Sequence, residues 1–160
     1  MDERDVAILK AISDLETGSP DKLHEETGIP VSTIHYRLNN LRESGVIEND
    51  LYDFDHEKLG LGVTIIVEVL ATYDGSAQDV QEALFDIEGV TQVFFTMGET
   101  DFIVLARLPE ADSVERLIAD FESIPDVDRT NSTFVVSTMR DESRAPATYD
   151  LETLTEALVD

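Results

Sequence analysis

The apolar residues of this chain change their period at one place. Before Gly60-Leu61-Gly62 they recur at helical intervals, and from Val63 onward alternating, β-branched runs take over. A 3.6-residue period gives a helix one apolar face, and a two-residue period does the same for a strand. The chain must therefore hold two differently built parts, with the glycine pair as the expected hinge.

In the first part Val6, Leu9 and Ile12, with Ile8 and Leu15, make one stripe at i, i+3, i+4. Asp2, Glu3 and Asp5 stand in its first turn, where the helix dipole favours anions. Gly18 is expected to end this helix. Ser19-Pro20 opens a second, as N-cap and first helical residue, and Gly28 stops it. A third helix is expected over 31–44, with Ile34, Leu38 and Leu41 inward and Gly45 as its stop. A short helix, a tight turn and a longer helix make a helix-turn-helix. The stretch VIENDLYDF (46–54) reads as a small hairpin or wing about Asn49-Asp50. Asp55 is placed to cap a single turn holding His56, Glu57, Lys58 and Leu59.

From Val63 the order is strand, helix, strand, turn, strand, helix, strand: VTIIVEVLATY, SAQDVQEALFDIEG, VTQVFFTM, Gly98 to Asp101, FIVLARL, DSVERLIADFESI and DRTNSTFVVSTM. Ala77, Val80, Leu84 and Ile87 face inward from the first of these helices, and Val114, Leu117, Ile118 and Phe121 from the second. This β-α-β-β-α-β order is the ferredoxin-like split βαβ. An echo of DVQEALFDIEGV in SVERLIADFESIPDV, 34 positions on, supports a two-fold pseudo-repeat. The fold class is α+β, a winged helix-turn-helix followed by a ferredoxin-like sandwich. The expected parts are 1–50 for the helix-turn-helix, 51–62 for the wing and hinge, 63–140 for the sandwich, and 141–160 for a linker and short helix. That last helix places Leu151, Leu154 and Leu158 on one face. Alone it would be marginal, so it should dock on this chain or a neighbour.

Charge narrows the function. The 160 residues carry 35 acids against 11 Lys and Arg, a net −24. Bulk attraction to a polyanion or an anionic membrane is excluded. Such a coat suits concentrated salt, where self-repulsion is screened over about 3 Å. No cysteine is present, so disulfides, thiolate metal sites and a Cys nucleophile are out. No apolar run reaches membrane-spanning length and no signal peptide opens the chain; a cytoplasmic protein is expected.

One window escapes the acids. Residues 27–42, TGIPVSTIHYRLNNLR, hold no Asp or Glu, and they fall on the second half of the helix-turn-helix. Ser32, Tyr36 and Asn39 lie farthest from the buried stripe of the third helix. Thr33, His35 and Asn40 flank them, and Arg37 and Arg42 edge the face. Such side chains suit a major groove, where Asn can bond adenine edges and Arg guanine or phosphate. The plainer reading is a solvated helix whose arginines pair with the acids of the first helix. The preceding short helix and turn favour double-stranded DNA. With so few cations, affinity is expected to rest on base edges, apolar contact and a dimer's two half-sites more than on charge.

Over nearly its whole length the chain resembles the Lrp/AsnC (feast/famine) transcription regulators. The matching residues are MDERDVAILKAI, Leu23, Gly28-Ile29, STIHYRLNNLRESGVI, Lys58-Leu59-Gly60, MGETD, and RTNSTFVV after a Pro-x-Val step. The acidity resembles a haloarchaeal member. The resemblance implies a DNA-binding domain joined to a domain that binds small effectors, often amino acids. It also implies homodimers made by pairing of sheets, which can assemble into octamers. It places the effector beside Gly98, Glu99, Thr100 and Asp101, whose backbone N–H groups and carboxylate could hold a zwitterion, with Thr133 a weaker candidate. The plainer reading of this turn is a hairpin with Gly at a positive φ. Three departures stand out. His24 occupies a position where the family has a small Ala, so it must tilt outward or the helices must part. Pro30 replaces a capping Ser, a role Ser32 could take over. The recognition helix is poor in cations.

His24, His35 and His56 are isolated from one another, and no metal site or cofactor is expected. There is no P-loop and no Gly-x-Ser-x-Gly. Arg129 and Asn131 form a polar pair on the last strand without a shaped anion loop, so no enzyme is expected. The alternative class is a signalling or assembly module that uses its helix-turn-helix for protein contact.

Overall fold

The computed structural model describes residues 1–50, 53–72 and 77–159. These divide into two compact units, one of residues 1–52 with 140–160, the other of residues 53–139.

The first unit holds α1 (Glu3–Leu15), α2 (Pro20–Thr27), α3 (Val31–Glu43), a 3-10 turn (Ala145–Thr148) and α6 (Leu151–Leu158). Asp2 starts α1 with a capping box, its carboxylate accepting from the Arg4 and Asp5 amides. The helix ends at Leu15, three residues before Gly18, because Glu16 takes the left-handed conformation (φ 51°). Leu15 is consequently exposed, while Ile8, Ala11, Leu23, Ile29, Ile34 and Leu38 form the core. Ser19 occupies the N-cap position of α2, but its side chain makes no cap hydrogen bond. His24 tilts outward: it is exposed, and its Nδ1 lies 2.8 Å from the Ile29 carbonyl. The ring thus ties the end of α2 to the turn.

The wing expected over 46–54 does not form among residues 46–50 and 53–54; Leu51 and Tyr52 lie outside the described residues. The local reason is visible. Ile47 packs on the helix-turn-helix core and donates its amide to the Leu41 carbonyl at 3.0 Å. Asp50 is held by Arg42. A lone two-stranded hairpin would gain little against these contacts.

The terminal segment packs back along α1. Of the three leucines expected on one face of α6, only Leu154 is buried; Leu151 and Leu158 remain exposed. Arg144 anchors the approach, bonding Glu16 at 2.7 Å and Glu142 at 3.1 Å.

The second unit contains β1 (Val63–Ala71), α4 (Ala77–Phe85), β2 (Val90–Phe95), β3 (Phe102–Leu108), α5 (Ser113–Glu122) and β4 (Val127–Phe134). Its four-stranded antiparallel sheet runs β2-β3-β1-β4. The β1 pattern explains the packing. Ile65, Val67 and Val69 are buried with Val104, Ala106, Leu84, Leu117 and Phe121, on the side covered by helices. Ile66, Glu68 and Leu70 alternate onto the other face, opposite Thr133, Asn131 and Arg129 of β4. Asp55 caps its turn as expected, accepting from the Lys58 amide at 3.0 Å and pairing with the Lys58 ammonium at 2.8 Å.

Gly89 has a backbone requirement. Its φ is +89°, and a Cβ there would lie 2.7 Å from Leu108 Cδ2 and 3.0 Å from the Arg107 carbonyl oxygen. Gly89→Ala is expected to destabilise this unit by about 2 kcal/mol through left-handed strain and the clash. Chemical denaturation monitored on the sheet checks this.

Candidate nucleic-acid interface and effector turn

On α3 the spacing delivers the expected partition. Ile34, Leu38 and Leu41 are buried, and Ser32, His35, Tyr36, Asn39 and Asn40 are exposed, with Thr33 half-buried. Tyr36 is 66% exposed. The helix starts without a side-chain cap; Pro30 supplies its carbonyl to the Thr33 and Ile34 amides instead. Ser32 is therefore not the cap and stays on the outer face.

The two cations behave differently from the neutral residues. Arg37 is 17% exposed and its Nη1 bonds both Asp2 and Asp5, each at 2.7 Å. This is the plainer pairing with the acids of the first helix. It fastens the middle of α3 to the first turn of α1. Hydrogen bonding to Asp5 is the main cause that raises the Arg37 pKa, against burial. Burial resists ionisation of Asp2, but the Arg37 guanidinium and the Asp5 and Arg4 amides outweigh it and lower its pKa below the usual 3.8. Arg42 remains at the rim, its Nε and Nη2 on Asp50 at 3.1 and 3.0 Å and its Nη1 3.4 Å from Asn39 Oδ1. Each cation of the recognition helix thus carries its own counter-acid. The sequence had shown the acids of the first turn, but not which arginine they would take.

A pH effect follows with a definite sign. Because the folded pKa of Asp2 is depressed, its contribution is complete above about 3.8 and is lost as pH falls through the folded value. Acid titration of the wild type is expected to loosen α3 from α1 below the ordinary Asp range. Arg37→Ala should flatten that part of the curve, as read by amide exchange in α3.

At the β2–β3 end of the second unit the turn Gly98 to Asp101 is stitched down on one side. The Asp101 amide donates to the Val69 carbonyl at 3.1 Å, and its Oδ2 accepts from the Ala71 amide at 2.9 Å. The Thr96 amide donates to the Asp101 carbonyl, and the Thr96 hydroxyl donates to the Thr100 carbonyl. Gly98 and Glu99 form an exposed tip, while Thr100 and Asp101 are half-buried. Gly98 does not have a positive φ, and a Cβ there would meet nothing within 4 Å. The hairpin reading in which Gly serves a positive φ is thereby corrected. Thr133 is exposed on the helix-free face, opposite Ile66. It lies three β1 positions from Val69, the anchor of the turn, or about 10 Å along the strand. Arg129 and Asn131 do not form a pair of their own; Asn131 Nδ2 donates to Glu68 at 2.8 Å.

Among the described residues no cluster of three or more His, Cys, Asp or Glu is placed to hold a metal. None of the helices there is long and apolar enough to cross a membrane.

Comparison with known proteins meets this geometry. Residues 63–145 match the model of the Lrp/AsnC ligand-binding domain, and residues 1–48 match a winged helix-turn-helix DNA-binding model. The chain belongs to the Lrp/AsnC family. It is a DNA-binding transcriptional regulator carrying an Lrp/AsnC ligand-binding domain. The HTH-type transcriptional regulator FL11 of Pyrococcus horikoshii is 30% identical over 148 residues, 91% of this chain and 96% of that one. A transcriptional regulator of Neisseria meningitidis, crystallised with L-methionine, superposes with a TM-score of 0.82 at 20% identity, covering 90% of this chain and 95% of its own. A feast or famine regulatory protein of Mycobacterium tuberculosis, also complexed with L-methionine, gives 0.76 at 21% identity, covering 86% and 92%. At these identities the two structures speak for the fold alone.

Proposed function

We propose that this regulator reads operator DNA in the cytoplasm with the neutral face of α3, through Ser32, Thr33, His35, Tyr36, Asn39 and Asn40. Arg37 acts as an internal clamp, and Arg42 is the one cation of this face able to exchange its acid partner for a phosphate. The observation that carries the reading is the exposure of an acid-free helix face in a chain of net −24. Concentrated cytoplasmic salt is the medium this surface fits.

The effector is an amino acid, held at the Gly98–Asp101 turn, with Thr133 at the margin. Gly98 supports this, since neither its φ nor its surroundings require glycine. A missing side chain there serves something outside the chain, the approach of a ligand to backbone N–H groups. Asp101 shapes the turn through Oδ2 and leaves Oδ1 for an ammonium group. The working unit is a homodimer joined through the helix-free sheet face, and dimers assemble further into octamers. That face carries Ile66, Leu70, Ile103 and Leu105, with Phe94 52% exposed. Such apolar exposure on an acidic surface marks an interface.

Genome-wide occupancy in the native host at native salt, with and without added amino acids, tests the reading. Discrete promoter peaks that Asn39→Ala abolishes, and that one amino acid redistributes, are expected. An intact oligomer with no promoter occupancy would instead make this a protein-contact module.

A further inference from the structure

Within residues 53–139 four cationic side chains stand against 18 acids, and His56 is the only histidine. Two of those cations, Arg107 and Arg116, and that histidine line a single cavity of about 460 Å³. It lies where β2 begins and β3 ends, at the opposite end of the sheet from the Gly98–Asp101 turn.

Three separate irregularities converge there. The His56 Nδ1 is shielded from solvent and has no hydrogen-bond partner among the described residues. Shielded polar atoms are rarely left unpaired. Gly89, in its left-handed conformation, admits no Cβ. The β2–β3 register slips between Val90 and Gln92 on this edge strand; bulges gather at sheet edges and beside active sites and re-aim the chain there. Gly89 and the slip on this edge strand also serve the turn itself, whereas the unpaired His56 Nδ1 has no structural use there.

The lining says what would fit. By strand alternation Arg107 turns toward the helix-free face, so the cation serving the helix side is Arg116. Arg116 is paired with Glu88 at 3.3 Å, both largely exposed, a kind of pair that contributes little and opens readily. Asp120 stands one turn farther along α5. Leu61, Leu108 and Leu117 give an apolar wall.

We propose that this cavity is a second small-molecule site, and that it takes a zwitterion with a short apolar side chain. The Arg116 guanidinium receives the carboxylate, and a small rotation of the His56 ring brings its shielded Nδ1–H onto the same group. Asp120 and the released Glu88 receive the ammonium, and the leucines take the side chain. The ligand exchanges one exposed ion pair for two and gives His56 its missing partner. Because His56 and Leu61 belong to the segment leading into β1, occupancy stiffens that segment. The proposal stands on this unit's geometry alone, apart from the role of the Gly98–Asp101 turn.

The test uses the full chain in molar KCl. Ring resonances of His56, assigned with His56→Gln, are followed by NMR as leucine is added. The probes 4-methyl-2-oxopentanoate and 3-methylbutylamine lack the ammonium and the carboxylate. Leucine should move His56 saturably, and each analogue should bind at least about tenfold more weakly. Arg116→Ala and Asp120→Asn should each weaken leucine by about tenfold or more, with an unchanged circular dichroism spectrum. An unmoved His56, a response that survives both substitutions, or an analogue that binds as well as leucine overturns the proposal. So does a response lost in Glu99→Ala but intact in Arg116→Ala, which would put the ligand at the Gly98–Asp101 turn.

Discussion

Replacing Leu154 with alanine is expected to lower the melting temperature of the DNA-binding unit by roughly 12–24 °C, with little change in the ferredoxin-like unit. An eight-residue helix has almost no stability of its own, so α6 exists because it docks on α1. Its start is fixed by Asp150, whose carboxylate accepts the Thr153 amide at 2.8 Å. That hydrogen bond is the main reason its pKa is lowered. Leu154 is the one side chain of α6 that is buried, at 7% exposure. A buried Leu→Ala change costs about 3 kcal/mol, and in a domain of this size each kcal/mol moves the midpoint by about 4–8 °C. Cutting the chain after Met139 should cost more, since it also removes the Arg144 bridges to Glu16 and Glu142. Amide signals of α3 and of β1, followed separately on heating, report the two units. Equal loss in both, or none in α3, would mean that the terminal helix does not support α1.

The second large effect concerns specificity. Asn39→Ala is expected to weaken specific operator binding by roughly 10²–10⁴-fold while leaving non-specific binding nearly unchanged. One amide pair with adenine discriminates by about 1–3 kcal/mol, and the proposed dimer would use it twice. Asn39 is exposed, so the fold should tolerate the change. Its Oδ1 receives Arg42 Nη1 at 3.4 Å, a long contact that a base edge can replace. Arg37→Ala should fail differently. It removes the bond between α3 and the Asp2–Asp5 turn, so stability and affinity fall together. Titration of operator and scrambled duplexes with both variants separates reading from holding.

Much of this was legible in the chain. The change of period at Val63 announced the sheet, because a two-residue period has one structural solution, but the compact unit that holds it begins earlier, at Asp53. The third strand, FIVLARL, matches residues 102–108 end to end, and Ile34, Leu38 and Leu41 were recognisable as one buried stripe. Effects that depend on distant partners were not legible. Gly18 looked like the end of α1, yet Glu16 turns first, and its carboxylate bonds Arg144, which is 128 positions away. Residues 46–54 carried a hairpin pattern, but among residues 46–50 and 53–54 no strand forms, and Ile47 and Asp50 bond α3 instead. The three leucines of α6 gave the right face and overstated its width, since α1 covers only Leu154. Arg37 and Arg42 looked alike in sequence; only their distances to Asp2, Asp5 and Asp50 separate a clamp from a rim cation. The His56 cavity left one weak trace, a histidine and two arginines in a cation-poor span, and nothing in their spacing joined them.

An acidic regulator that reads DNA through neutral groups, on a helix face cleared of carboxylates, should bind its operator with little dependence on salt. Few phosphates are neutralised, so log K against log [KCl] should fall with a shallow slope, about −3 or flatter. A slope of about −6 or steeper, like that of a basic repressor, would contradict it.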